Sequence, residues 1–141
     1  MGVKIMENII TVVFKRESEA YQALAELKRD QVNYGYKIVQ LGIVKKENGV
    51  DTPVEGFNST LEKRGSVKGN TKLMKFAVTK TPENATILVA LVEEHEDIVL
   101  NSRLTKFKPT ITRYDKAKLQ AEMEAYEKAQ KIAAKEAKKK K

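Results

Sequence analysis

Two stretches of the chain show the same succession of patterns: an apolar run, an amphipathic segment and a second apolar run. The first unit has these at residues 8–14, 18–29 and 36–44, and the second at 86–92, 94–107 and 109–114. The runs 8–14 and 86–92 are apolar at consecutive positions, which is typical of central strands buried on both faces. Two strand–helix–strand units predict an α+β domain of the ferredoxin-like split βαβ type.

The amphipathic segments each carry one apolar stripe. In the first segment Ala20, Leu24 and Leu27 recur at helical spacing. In the second, Leu100, Leu104 and Phe107 do the same. We therefore expect a four-stranded antiparallel sheet with these two helices on one face. Two helices cover only that face, so the other apolar face needs a second cover.

The second strand is followed by Asn48-Gly49, a dipeptide that suits the positive φ angles of a hairpin turn. A short return strand is expected at 50–54, and Pro53 would confine it to a sheet edge.

Residues 116–141 have the pattern of a further helix, with Asp115 as its N-cap and a lysine-rich end. Four apolar side chains define its stripe: Leu119, Met123, Tyr126 and Ile132. A stripe of this kind has to bury against its own domain, a second copy or another partner. Burial against a second copy would also cover the open sheet face, so we expect self-association through these four residues.

The net charge of +8 is not evenly distributed. Residues 1–56 are neutral and residues 84–115 are close to neutral, whereas 57–83 and 116–141 hold the excess of Lys and Arg. We therefore expect one domain over 6–115 with a basic insertion at about 57–83, followed by the C-terminal helix. Basic residues outside a core serve solubility or contact with a polyanion. The residues expected to make such a contact are Lys63, Arg64, Lys68, Lys72, Lys138 and Lys139.

Several kinds of chemistry lack the residues they require. The chain has no cysteine and a single histidine, His95, which excludes thiolate chemistry and argues against imidazole metal clusters. The segment 65–72 has the wrong spacing for a phosphate-binding loop. The two central strands lack the aromatic pair on which RNA-recognition sheets stack bases. We expect no catalytic, cofactor or metal site and no enzymatic activity.

No apolar run reaches the roughly 20 residues that span a bilayer, and the first residues lack the apolar core of a secretory signal. The expected location is cytoplasmic.

Three blocks carry a family resemblance: ENIITVVFKRESEAYQALAELKRD, YKIVQLGIVKKENG and ILVALVEEHEDIVLNSRLTKFKPTITRYD, followed by a Lys/Glu/Ala helix. They resemble an uncharacterised bacterial family described as predicted membrane proteins of unknown function. In that family, strand–helix–strand units flank a glycine-zipper apolar hairpin. This chain has the short basic segment FNSTLEKRGSVKGNTKLMKFAVTKTPEN in its place, so the resemblance implies the frame without the membrane element.

These observations predict a non-enzymatic interaction or assembly module that forms a homo-oligomer. One alternative is an accessory protein that binds a polyanion, such as RNA, a ribosome or an anionic membrane surface. A second alternative is a small-ligand sensor, since the sheet architecture alone is compatible with many functions.

Overall fold

The computed structural model describes residues 5–32, 35–55 and 64–139. They form an α+β structure in which one sheet lies between two layers of helices. The strands are β1 (Met6–Phe14), β2 (Tyr36–Glu47), β3 (Val50–Glu55), β4 (Ala85–Glu94) and β5 (Thr110–Asp115). The helices are α1 (Glu17–Arg29), α2 (Arg64–Val78), α3 (Asp97–Leu104) and α4 (Lys116–Lys139), and a 3-10 turn at Thr105–Phe107 follows α3.

The sheet is antiparallel and has the strand order β3-β2-β4-β1-β5. The expectation of four strands is corrected to five, because the return strand after Asn48-Gly49 pairs with β2 and forms an edge. Both turn residues have positive φ, at 50° for Asn48 and 80° for Gly49, as the dipeptide indicates. The central position expected for β1 and β4 is confirmed.

The first face of the sheet packs against α1 and α3, as the two apolar stripes predict. Ala20, Leu24 and Leu27 of α1 are buried there together with Leu100 and Leu104 of α3. Even-numbered residues of β1 and β4 supply the facing surface, because alternate side chains of a strand point to the same side.

The second face is covered by α2 and α4, so this chain supplies the cover that was expected from a second copy. Leu73, Met74, Ala77 and Val78 are the buried residues of α2, at the spacing of one helix face. Within the basic insertion expected at about 57–83, the described residues form a helix over Arg64–Val78. The apolar stripe of α2 is short. The glycines and lysines before it therefore hide the helical period in the sequence.

The helix expected at the C-terminus is confirmed as α4. The carboxylate of Asp115 accepts a hydrogen bond from the Lys118 backbone N–H at 3.0 Å, so the expected N-cap is also confirmed. Leu119 and Met123 join the core of the second face. The first turns of α4 are thereby fixed to the sheet.

Candidate polyanion-binding surface

α2 and α4 lie side by side in opposite directions on the second face of the sheet. Lys80 pairs with Glu122 and Lys72 pairs with Glu127, each with an Nζ–Oε distance of 2.6 Å. Lys80, just after α2, contacts the earlier position on α4, and Lys72, within α2, contacts the later one, so the two helices run antiparallel. The ring of Phe76 lies between these pairs and packs on Tyr126, with 5.9 Å between ring centroids.

α4 is buried at its start and exposed at its end. The side chains of Leu119 and Met123 are 2% and 8% exposed, whereas those of Tyr126 and Ile132 are 55% and 50% exposed. Every residue from 128 to 138 is exposed. Because the chain's own core occupies Leu119 and Met123, a self-association surface on α4 is limited to Tyr126 and Ile132.

The exposed part of α4 carries a row of lysines on one side. We call Lys128, Lys131, Lys135 and Lys138 the lysine row; their spacing of three, four and three residues places them along one helix face. At 1.5 Å per residue the row is about 15 Å long. It lies about 120° around the helix from Leu119 and Met123 and so points away from the sheet. Within the described part of the chain, none of the four ammonium groups has an ion-pair partner.

The residues expected to contact a polyanion differ in whether the structure describes them and in whether their charge is already paired. Lys63 lies outside the described residues. Arg64 and Lys68 belong to the N-terminal half of α2, whose backbone is described. The ammonium group of Lys72 is already engaged by Glu127. Lys138 belongs to the lysine row and Lys139 is the last residue of α4.

The antiparallel packing brings the two basic segments of the sequence together. α4 continues past the contact between Lys72 and Glu127, toward the side on which the N-terminal half of α2 lies. α2 contains four basic residues and no acidic residue. Lys128, Lys131 and Lys135 were not among the residues predicted to contact a polyanion, because the sequence alone does not show that α4 is exposed from 128 onward.

A second group of charged residues lies on the first face of the sheet, and its hydrogen bonds hold the fold together. Glu94 is fully buried and accepts hydrogen bonds from the side chains of Asn8 and Arg113. The backbone N–H of His95 donates to the Gly35 carbonyl at 2.8 Å, which fixes the entry to α3. Among the described residues, no group of three or more His, Asp or Glu could hold a metal ion.

Comparisons with protein-family models, curated proteins and solved structures gave no match. Across the described ranges, no helix combines the length and the apolar character needed to cross a membrane.

Proposed function

We propose that the protein is a non-enzymatic binding module that holds a polyanionic partner through the lysine row of α4. One observation carries this proposal: the row stands on a helix segment whose residues are all exposed, and its four charges are unpaired within the described residues. Like charges at spacings of three and four residues destabilise a helix. Glu124 and Glu127 precede the first two lysines of the row by four residues and offset this repulsion only at the start of the row. A row of phosphates would remove that repulsion.

The end of α4 offers little surface for self-association, because Tyr126 and Ile132 are the large apolar side chains exposed there among the described residues. Stable protein interfaces bury about 800 Å² per partner, which two side chains do not provide. Self-association through the second sheet face also loses its original reason, because α2 and α4 cover that face.

Among polyanions, the geometry favours the phosphate backbone of a nucleic acid over a membrane surface. Helices that lie in a membrane interface insert large apolar residues opposite their basic face. Opposite the lysine row, α4 carries Ala129, Ala133 and Ala137. Methyl groups of alanine bury little area, so binding rests on the charges.

The test is a salt titration of binding to a fluorescent RNA. If the row neutralises about four phosphates of a single strand, the logarithm of the binding constant should fall linearly with the logarithm of the salt concentration, with a slope of about −2.8. The key variant replaces all four lysines of the row by glutamine and is expected to lose most of the affinity and most of the slope. Failure of single-stranded RNA, duplex RNA and heparin alike to bind at low salt, or a variant that binds as well as the unchanged protein, would contradict the proposal.

A matched control variant removes the same charge from the other side of the molecule. The four lysines to replace by glutamine lie on or near α1 and α3 and are exposed: Lys15, Lys28, Lys106 and Lys108. Equal losses in both variants would mean that net charge, and not the row, determines binding. Light scattering of the same samples tests the homo-oligomer, which this proposal does not require.

We further propose that the central part of the fold is ferredoxin-like and that the protein acts in the cytoplasm. Without β3, the strand order β2-β4-β1-β5 and the helices α1 and α3 correspond to two interleaved βαβ units, which supports that assignment. The resemblance to the bacterial family of predicted membrane proteins stays a prediction. Superposition of an experimental structure on known ferredoxin-like domains tests the fold, and cell fractionation tests the location.

A further inference from the structure

The lysine row is a straight and regular array of charges. Its members are spaced by the helix, and the first turns of the same helix are fixed by Leu119, Met123 and two ion pairs to α2. A single strand has to adapt its backbone to such an array, whereas a duplex already presents phosphates in a rigid arrangement. The duplex carries one charge per about 1.7 Å of its axis, and single strands neutralise less charge per contact.

The described surface around the row offers no platform for stacking bases. Proteins that hold single strands place aromatic rings beneath successive bases. Tyr126 is the aromatic residue nearest the row on α4. Its side chain is exposed, but its ring packs on Phe76 and lies on the side of the helix opposite the row. Beyond it, α4 carries alanine, lysine, glutamine, glutamate and one isoleucine.

We infer that the partner is a double-stranded nucleic acid, bound along its phosphate backbone without sequence reading. This inference rests on the proposed function and specifies the ligand of the same site. Lysine contacts phosphate as a point charge. The exposed segment 128–138 has no arginine or asparagine to read base edges, and its one glutamine, Gln130, lies on the helix side of Leu119 and Met123, away from the row. Duplex DNA and duplex RNA share the phosphate chemistry that the row recognises.

The experiment compares four labelled 20-nucleotide probes at one low salt concentration: duplex DNA, duplex RNA, single-stranded DNA and single-stranded RNA. Fluorescence anisotropy with the full chain gives each affinity, expressed per phosphate because a duplex carries twice as many. We expect at least one duplex to bind about tenfold tighter than either single strand, with a salt slope near −3.6 for four contacts. Heparin at matched charge serves as a probe without bases.

The outcomes separate the two proposals. Single strands that bind as tightly as duplexes, or heparin binding without duplex binding, would overturn the duplex inference and leave a polyanion function standing. No binding to any probe would overturn both. The variant with glutamine in place of the row must lose the duplex preference while the variant changed at the α1 and α3 lysines keeps it. Circular dichroism of both variants confirms that they are folded.

Discussion

The guanidinium group of Arg113 donates two hydrogen bonds to the carboxylate of Glu94, from Nε to Oε1 at 2.8 Å and from Nη2 to Oε2 at 2.9 Å. Glu94 lies at the end of β4 and Arg113 in the edge strand β5, with β1 between them. The Asn8 amide of β1 also donates to Glu94 Oε1, at 3.0 Å. One fully buried carboxylate therefore ties three strands together.

Replacing Arg113 by methionine is expected to lower the free energy of unfolding by about 3–5 kcal/mol, because it leaves the buried carboxylate of Glu94 without its cation. Urea denaturation followed by circular dichroism measures this loss. The control is Arg103→Met, which breaks an ion pair with Asp30 in which both side chains are partly exposed. Pairs of that kind contribute about 0–1 kcal/mol. Equal losses in the two variants would show that the Glu94 pair is not buried as described.

Gly35 is required by close packing against α3. A Cβ added at this position would lie 2.4 Å from Val99 Cγ2, and Val99 is itself buried. We expect Gly35→Ala to cost about 1–3 kcal/mol in unfolding free energy through overpacking. Val99 Cβ would also lie only 2.5 Å away, so the double variant Gly35→Ala, Val99→Gly, which removes every clashing atom of Val99, should be more stable than the sum of the single effects predicts. Strict additivity in urea denaturation would show that the two positions are not in contact.

The sheet was readable from the sequence because its central strands are apolar on both faces. Ile9 and Ile10 are both completely buried, which only a strand with cover on each side allows. The stripe of Ala20, Leu24 and Leu27 identified α1 for a similar reason: each of its members faces the core. Where burial repeats with a regular period, local sequence is sufficient.

The layer formed by α2 and α4 could not be predicted, because its packing depends on residues that are distant in the sequence. α2 has glycines at 65 and 69 and a short apolar stripe, so its helix becomes evident only with β2, β4 and α4 beside it. The pairing of Glu94 with Arg113 joins strands that are not neighbours in the sheet. The lysine row could be identified only once the structure showed where α4 leaves the sheet.

Lys46 holds the end of α2 to the sheet. Its side chain is 3% exposed, and Nζ donates to the carbonyls of Val78 and Thr81 at 3.1 and 2.8 Å. Lys46→Met leaves these carbonyls without their charged donor, and we expect a loss of about 1–3 kcal/mol in unfolding free energy. Hydrogen exchange should become faster in the last turn of α2. Unchanged exchange there would contradict this role.

The neighbouring Lys45 gives a prediction about pH. Hydrogen bonds to the carboxylates of Glu47 and Glu17 raise the pKa of Lys45 above its usual value. A pKa that is higher in the folded state adds stability below the unfolded pKa, and this stability is lost as pH rises through the folded pKa. Lys45→Met should therefore weaken the fall in stability above about pH 10.5. Urea midpoints of both proteins at pH 8 and pH 11 measure it, and identical pH dependence would contradict the assignment.

The two halves of α4 should respond differently to the loss of a large apolar side chain. Leu119 is 2% exposed in the core and Ile132 is 50% exposed on the projecting segment. Leu119→Ala is expected to cost about 2–5 kcal/mol in unfolding free energy, whereas Ile132→Ala should stay within about 0.5 kcal/mol. Urea denaturation at two protein concentrations gives both values. A large, concentration-dependent cost for Ile132→Ala would mean that a second copy covers the end of α4, because only an intermolecular contact makes stability depend on concentration.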